Sequence, residues 1–208
     1  MSFSTFFSEQ ARQPSGLFGR IVMPVVFDRG NAFLNGFVDS LMTVQPNDRV
    51  LEIGCGTGKL INIMAKKINK GIISGIDFSS TMVTIAKRKN KKSIANGIVN
   101  IIQADFNDIS YTKGSFTKAC SVNTLYFWEN IENTVKKVFD LLESGGQFVV
   151  AFEDIKQLEQ RKLSNKVFQL YTDNDVKRLL TNAGFSNGVY IETRKKRNLS
   201  FHCAVAMK

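Results

Sequence analysis

The stretch VLEIGCGTG at residues 50–58 decides the fold of this chain. An apolar strand that carries Glu52 breaks into glycines at every second position, and apolar residues at helical spacing follow from Leu60 to Ile68. Glycine lets a ligand approach the backbone, because it has no Cβ and adopts positive φ at little cost. The first turn of the next helix offers unpaired N–H groups. Strand, glycine turn and helix therefore predict a ligand-binding loop.

Two common phosphate-binding loops do not match this spacing. The dinucleotide-binding pattern GxGxxG needs a third glycine where the chain has Lys59. The P-loop pattern GxxxxGK[ST] fails because Gly58 follows Gly54 one residue too early, and Leu60 replaces the hydroxyl residue that binds magnesium. The pattern that remains is ExGxGxG.

ExGxGxG resembles the first motif of the class I S-adenosylmethionine (SAM)-dependent methyltransferases, in particular the small-molecule enzymes of the type 11-like group. The resemblance covers residues 47–152 best and the C-terminal part weakly. It implies SAM as the cofactor and S-adenosylhomocysteine as its product. An ordinary glycine-rich turn in another α/β protein is the alternative that the motif alone leaves open.

The resemblance also implies which residues hold the cofactor. The methionine end of SAM would lie against the glycine turn, and Asp77 at the end of the second strand would accept the two ribose hydroxyls. Asp105 would accept the adenine amino group. The predicted cofactor-binding residues are Glu52, Gly54, Cys55, Gly56, Gly58, Asp77, Phe78, Met82, Asp105, Phe106, Asn123 and Thr124. As alternatives, the two aspartates can be turn or cap carboxylates and the two phenylalanines can be core residues.

The segment SVNTLYFW at residues 121–128 bears on the methyl acceptor. It lacks the NPPY and DPPY patterns of enzymes that methylate base amino groups. It resembles instead the aromatic segment of small-molecule methyltransferases, such as those of quinone and lipid biosynthesis. Tyr126 and Trp128 are predicted to line the acceptor pocket, together with Phe18 from the N-terminal region. An aromatic cluster that only packs the core is the alternative for Trp128.

The sequence does not identify a catalytic base. SAM is already activated, so such an enzyme mainly supplies proximity and alignment. Tyr126 and Asn123 remain as candidates for a catalytic role, and His202, the only histidine, is assigned a structural role. No metal ion is predicted, because the three cysteines form no CxxC pair.

Composition sets broad limits on the class of protein. A chain of 208 residues suffices for one substantial core, and no apolar run approaches the ~20 residues of a membrane-spanning helix. No secretory signal precedes the fold, and an odd number of dispersed cysteines does not suggest a disulfide framework. We therefore expect a cytoplasmic protein, either a monomer or a homodimer.

The net charge of +10 is the unusual property of the composition. It is compatible with a polyanionic partner, but the basic clusters at residues 87–92 and 194–197 fall late in a helix and at a hairpin turn, where cations usually face solvent. A small, apolar or aromatic methyl acceptor is therefore preferred over nucleic acid. An RNA or protein methyltransferase and a catalytically silent SAM-binding module are the alternatives.

Alternating strand and helix patterns predict a Rossmann-like, doubly wound α/β fold. Its mostly parallel sheet of seven strands would have one antiparallel strand near the C-terminus. The predicted strands cover residues 49–53, 72–77, 98–103, 117–122, 147–152, 189–193 and 199–207. Residues 1–44 lie outside the repeat and are predicted to form a helical cap or lid packed on the SAM-binding domain at residues 45–208.

Overall fold

The computed structural model describes residues 3–161, 163–186 and 188–208, and within them an α/β fold. The strands are β1 (Arg49–Ile53), β2 (Ile72–Asp77), β3 (Val99–Gln103), β4 (Phe116–Val122), β5 (Leu142–Glu153), β6 (Val189–Lys196) and β7 (Leu199–Met207). The helices are α1 (Phe3–Arg12), α2 (Gly16–Gly30), α3 (Ala32–Met42), α4 (Lys59–Met64), α5 (Ser80–Lys89), α6 (Lys91–Ala95), α7 (Ile131–Leu141), α8 (Ile155–Gln160) and α9 (Asp173–Asn182).

All seven strands form one sheet in the order β3-β2-β1-β4-β5-β7-β6. Only β7 runs antiparallel to its neighbours β5 and β6, and the remaining pairs are parallel. The predicted fold class is therefore confirmed. The strand order reverses at β1 and β4, and ligands of such sheets bind beyond the carboxyl ends of the strands at this point.

Helices cover both faces of the sheet, which explains why its central strands are apolar throughout. Successive side chains of a strand point to opposite faces, so that Leu51 and Val50 belong to different halves of the core. One half includes residues of α7 and α9, namely Val135, Val138, Val176 and Leu180. The other includes residues of α3, α4 and α5, among them Leu34, Phe37, Leu60, Ile61 and Val83.

The N-terminal region is helical as far as it is described, with residues 1 and 2 outside the described part. The apolar pattern predicted at residues 33–41 is α3, which packs on the sheet. The segment before α3 forms the 15-residue helix α2, which continues through Pro24. This helix buries only Gly19 and Met23 completely, so most of its surface faces outward.

Local signals placed most element ends well. Ser79 caps α5 by accepting a hydrogen bond from the Met82 N–H, and Thr172 and Asp175 form a capping box at the start of α9. The helix after the glycine turn is shorter than the apolar pattern at residues 60–68 predicts, because the chain turns after Met64, and three successive N–H groups, at residues 69–71, bond the Pro46 carbonyl. The next strand, β2, begins at Ile72, as predicted.

The β6–β7 hairpin ends the sheet and carries the basic turn that the sequence predicted. The turn residues are not uniformly solvated: the Arg194 guanidinium lies 4.2 Å from the centroid of the Phe37 ring, and the Lys196 amine lies 5.6 Å from that of Phe33. The hairpin thus holds α3 against the sheet. No helix in the described part of the chain is both long and apolar enough to cross a bilayer.

Candidate functional site

A cavity of about 450 Å³ lies at the carboxyl ends of the strands, where the strand order reverses. Its walls combine the glycine turn after β1, the residues that follow β2, β3 and β4, and the N-terminal helices. All twelve predicted cofactor residues except Gly58 line it. The topology therefore brings together residues that are more than 70 positions apart in the sequence.

The glycine turn follows β1 and forms the floor of the cavity. Gly54, Gly56 and Gly58 have φ values of +69°, +51° and +68°, which side-chain-bearing residues rarely adopt. A Cβ at Gly54 would also lie 2.4 Å from Cγ2 of Thr124. The Gly54 N–H bonds the Ile76 carbonyl at 2.8 Å, which fixes the turn to the end of β2. Glycine is required here by both backbone angle and space.

Asp77 organises the turn from the end of β2. One carboxylate oxygen accepts the Gly56 N–H at 2.8 Å and the other accepts the Ser79 N–H at 2.9 Å. Burial raises the pKa of Asp77, while the two backbone bonds act to lower it. A carboxylate can accept about four hydrogen bonds, so Asp77 retains capacity for hydroxyl groups in the cavity that it lines.

Glu52 is a buried carboxyl group with incomplete hydrogen bonding. It is 3% exposed, and its Oε2 atom has no hydrogen-bond partner in the described part of the chain. Burial, together with the charge of Asp77, raises the pKa of Glu52 to about 8. A buried polar atom without a partner is costly. A cationic or hydrogen-bond-donating ligand group would supply the missing partner.

The residues after β2 and β3 form the next part of the wall. Phe78, Met82, Asp105 and Phe106 all line the cavity. Asp105 is exposed, and one of its oxygens accepts the Asn107 N–H at 2.8 Å at the start of a short 3₁₀ helix. The structural interpretation of Asp105 as a cap thus holds, and the residue also lines the cavity.

Asn123 and Tyr126 form a hydrogen-bonded group after β4. Asn123 adopts φ +56°, an uncommon left-handed conformation, and its amide donates to the Asn31 side-chain oxygen at 2.9 Å. The Tyr126 hydroxyl accepts the Glu153 N–H at 2.7 Å and is 3.5 Å from Oδ1 of Asn123. Burial raises the pKa of Tyr126 far above its ordinary value. Burial therefore favours the protonated form of Tyr126 in the ligand-free protein.

One predicted acceptor residue lies elsewhere. Tyr126 and Trp128 line the cavity, but Phe18 does not. The Phe18 ring packs edge-on against Phe6 of α1, with 5.2 Å between centroids. The prediction for Phe18 is corrected for a geometric reason: α2 turns this residue towards α1 and presents Phe27, nine residues later, to the cavity.

Several cavity residues were missed because they come from distant segments. From the N-terminal helices these are Arg12, Asp28, Asn31 and Asn35, and from the region after β5 they are Glu153, Arg161, Leu163 and Phe168. Both nitrogen ends of the Arg161 guanidinium bond the Glu153 carboxylate. The sequence predicts a cap over residues 1–44, but no local pattern singles out these individual residues.

His202, Cys120 and Cys203 lie away from the cavity. His202 is on β7, where its Nδ1 atom is 2.8 Å from the Thr193 hydroxyl and its ring lies near Phe152. The two cysteines are buried free thiols in the core. These contacts agree with the structural roles expected for all three residues.

A family model described as a methyltransferase domain matches residues 50–146, which contain the glycine turn and β1 to β4. The matched part of the chain is therefore similar to a methyltransferase domain, in agreement with the class I SAM-dependent family that the sequence resembles. The chain is 30% identical over 116 residues to the Bacillus subtilis protein YrhH, which is named as a methyltransferase, covering 56% of the chain and 63% of the relative. Over 100 residues it is 31% identical to malonyl-[acyl-carrier protein] O-methyltransferase of Priestia megaterium, covering 48% of the chain and 35% of the relative.

The chain therefore spans between about a third and two thirds of the length of these curated relatives. Among solved structures it resembles Haemonchus contortus phosphoethanolamine N-methyltransferase 2, in complex with phosphomonomethylethanolamine and S-adenosylhomocysteine. The TM-score is 0.70 at 14% identity, covering 85% of this chain and 52% of that one. At this identity the likeness establishes the shared fold.

Proposed function

We propose that this chain binds SAM in the cavity and transfers its methyl group to a small, apolar or aromatic acceptor. The observation that carries the proposal is the unpaired Glu52 carboxyl group beside a glycine turn that leaves room for a ligand. The methionine end of SAM carries a positive charge and N–H donors. These groups would supply the partner that the Glu52 carboxyl group lacks. The residues present therefore fit this cofactor.

In this proposal, each part of the wall has its own task. Glu52 and the glycine turn hold the methionine end, with Asn123 and Thr124 beside it. Asp77 accepts the ribose hydroxyls while it keeps the Gly56 N–H in place. The adenine lies between the residues after β2 and β3, which are Phe78, Met82, Asp105 and Phe106.

The acceptor end of the cavity favours an apolar or aromatic molecule. Its lining is rich in large apolar side chains: Phe7, Tyr126, Phe127, Trp128, Leu158, Leu163 and Phe168. The Phe127 and Phe168 rings meet edge-on, with 4.7 Å between centroids. Such surfaces bind apolar groups and exclude water, while the Arg161–Glu153 pair at the same end offers one polar contact.

Alignment is the main contribution of this chain to the reaction. When bound, SAM supplies a methyl group activated by its sulfonium charge. The buried walls orient the acceptor atom in line with that group and keep water away. Neither Tyr126 nor Asn123 is assigned the role of base, because the Tyr126 hydroxyl is bonded in the protein interior and an amide does not titrate. An acceptor that arrives as a nucleophile needs no base.

The N-terminal region at residues 1–44 acts, in this proposal, as a cap over the cofactor. Asp28 of α2 accepts hydrogen bonds from Thr57 in the glycine turn and, at 2.8 Å, from Lys89 of α5. The cap is thus tied to the turn that holds the methionine end. The three described cysteines are free and buried, which suits the reducing cytoplasmic setting that we propose.

Ligand-induced stabilisation tests the cofactor site. S-adenosylhomocysteine at about 100 times its dissociation constant adds ~2.7 kcal/mol of stability, which is roughly 5–10 °C in melting temperature for a chain of this length. Asp77→Ala is expected to remove most of this shift, measured against its own ligand-free melting temperature. The matched control is Asp108→Ala, an exposed aspartate outside the cavity. A full shift in Asp77→Ala would overturn the ribose assignment.

Methyl transfer itself needs a separate measurement. With radiolabelled SAM and a fractionated cell extract, label is expected in the small-molecule fraction. Label in RNA or protein would contradict the proposed small-molecule acceptor and identify a macromolecule as the acceptor. Ligand binding without any label transfer would instead identify a silent SAM-binding module.

A further inference from the structure

The outward side of α2 is an exposed apolar surface. Leu17, Ile21 and Val25 follow one another at four-residue spacing and are 76%, 66% and 49% exposed, while Val22 and Val26 beside them are 39% and 37% exposed. We call these five residues the α2 face. They are five of the eight large hydrophobic residues that are exposed in the described part of the chain. Such a concentration on one helix marks an interaction surface.

Helix α2 also carries two exposed cations. Arg20 and Arg29 on the same helix are exposed. Neither forms an ion pair with a carboxylate in the described ranges. The nearest acid, Asp28, is already paired with Lys89. The field around the face is therefore positive.

Helix α5 adds to this field because it lies alongside α2. The Ser79 hydroxyl donates to the Pro14 carbonyl at 3.2 Å at the start of the two helices, and Lys89 meets Asp28 at their ends. The last turn of α5 exposes Lys87 and Arg88, again without an ion pair among the described residues. The two helices together thus expose apolar side chains and cations.

We propose that the α2 face binds the surface of an anionic lipid bilayer. An exposed helix that carries both large apolar side chains and cations suits the membrane interface, because the apolar side chains enter the acyl boundary while the cations meet lipid headgroups. Fifteen residues give about 22 Å of helix, enough to lie on a bilayer but not to cross it.

Charge argues against two other occupants of the face. A second copy of the chain would bring two molecules of net charge +10 together. An RNA would pair with the cations but leave the apolar side chains uncovered. An anionic bilayer would cover the apolar side chains with its acyl region and pair the cations with its headgroups.

The face also reaches the cavity, because Val26 belongs to both and Phe27 lies next to it in the lining. A bilayer bound there adjoins the cavity mouth. An amphiphilic acceptor then passes from lipid to protein without crossing water. This last step rests on the proposed function, whereas the binding of the bilayer does not.

Co-sedimentation of the full chain with vesicles tests the binding. We expect the protein to sediment with vesicles of phosphatidylcholine containing 30% phosphatidylglycerol, and not with phosphatidylcholine alone, because the cations of the protein need anionic headgroups as partners. The double variant Leu17→Ser with Ile21→Ser is expected to bind at least tenfold more weakly. Both residues lie outside the cavity lining, so its melting-temperature shift with S-adenosylhomocysteine should persist. Leu199→Ser, an exposed leucine on β7, is the matched control.

The cations are tested in the same assay. Arg20→Gln with Arg29→Gln is expected to weaken binding tenfold or more. Lys66→Gln with Lys70→Gln changes two exposed lysines just before β2, at the amino ends of the strands and thus opposite the cavity, and is expected to leave binding unchanged. Wild-type binding by the serine double variant would overturn the proposal, as would equal binding to neutral vesicles. A concentration-dependent dimer that the serine variant abolishes would instead assign the face to a second copy.

Discussion

Glu52 and Asp77 show how the surroundings of a carboxyl group change its chemistry. The Asp77 carboxylate accepts two backbone N–H groups, whereas one Glu52 oxygen is buried without a partner among the described residues. Burial raises the pKa of both, and for Glu52 it reaches about 8. Glu52 is thus a proton-binding site in the ligand-free protein and a candidate anion once a cationic group lies beside it.

The raised pKa of Glu52 makes stability fall as pH rises. Below the ordinary value of 4.5 both folded and unfolded states are protonated. Between that value and about 8 the unfolded chain has released the proton that the folded protein retains, so the free energy of unfolding declines, and above 8 it declines no further. Glu52→Gln should remove this slope.

We therefore expect the free energies of unfolding of Glu52→Gln and wild type to diverge between pH 5 and pH 8.5, by an amount on the order of 3 kcal/mol in favour of the variant. Urea denaturation without ligand measures the difference. Glu132→Gln, an exposed glutamate on α7, serves as control and should follow the wild-type slope. Parallel curves for Glu52→Gln and wild type would contradict the assignment.

At the scale of elements, α2 is held by few but polar contacts. Asp28 accepts hydrogen bonds from Thr57 and Lys89, and although partial burial acts to raise the pKa of Asp28, these bonds lower it overall. The Asp28 carbonyl also accepts the Lys59 amine at 2.9 Å. A helix attached through one side chain should open locally when that side chain is removed.

Asp28→Ala is expected to speed amide hydrogen exchange at residues 16–30 about tenfold or more, because two buried or half-buried donors lose their acceptor. Exchange in β1 and β5 should not change. The control is Asp39→Ala, which removes the ion pair between Asp39 of α3 and Lys67 and should not change exchange in α2. If Asp28→Ala leaves α2 as protected as in the wild type, then Asp28 does not hold the cap.

The elements also show what a sequence can and cannot predict. The strand ends at Ile53 and Asp77 and the cap at Ser79 follow from local pattern, because glycine, acid and hydroxyl residues determine the backbone in their own neighbourhood. The packing of Phe18 on Phe6 and the bond of Asp28 to Thr57 depend on how distant helices meet. Such contacts leave no periodic signal, so sequence reasoning misplaced the first and missed the second.

In the whole molecule, one sheet carries the core and the base of the cavity. Helices α1 and α2 form one wall of the cavity and contribute little to the core. Helix α3 buries Leu34, Phe37, Val38 and Met42 against the sheet, but α2 buries only two residues completely. Folding and ligand binding should therefore depend differently on the N-terminal helices.

A chain that starts at Asn31 is expected to keep its sheet and melt cooperatively, yet to bind S-adenosylhomocysteine at least tenfold more weakly, because the wall that includes Arg12 and Asp28 is absent. Circular dichroism and isothermal titration calorimetry measure the two effects. A chain that starts at Phe3 is the control. Undiminished affinity in the shorter chain would show that α1 and α2 do not take part in the cofactor site.

The position of β6 at one end of the sheet has a consequence for how the protein behaves at high concentration. Open strand edges invite pairing with another molecule, the first step towards fibres. Here the edge strand ends in Arg194, Lys195 and Lys196, all exposed. Two such edges repel as they approach, most strongly at low ionic strength. The charges of the β6–β7 hairpin should therefore reduce aggregation through this strand edge.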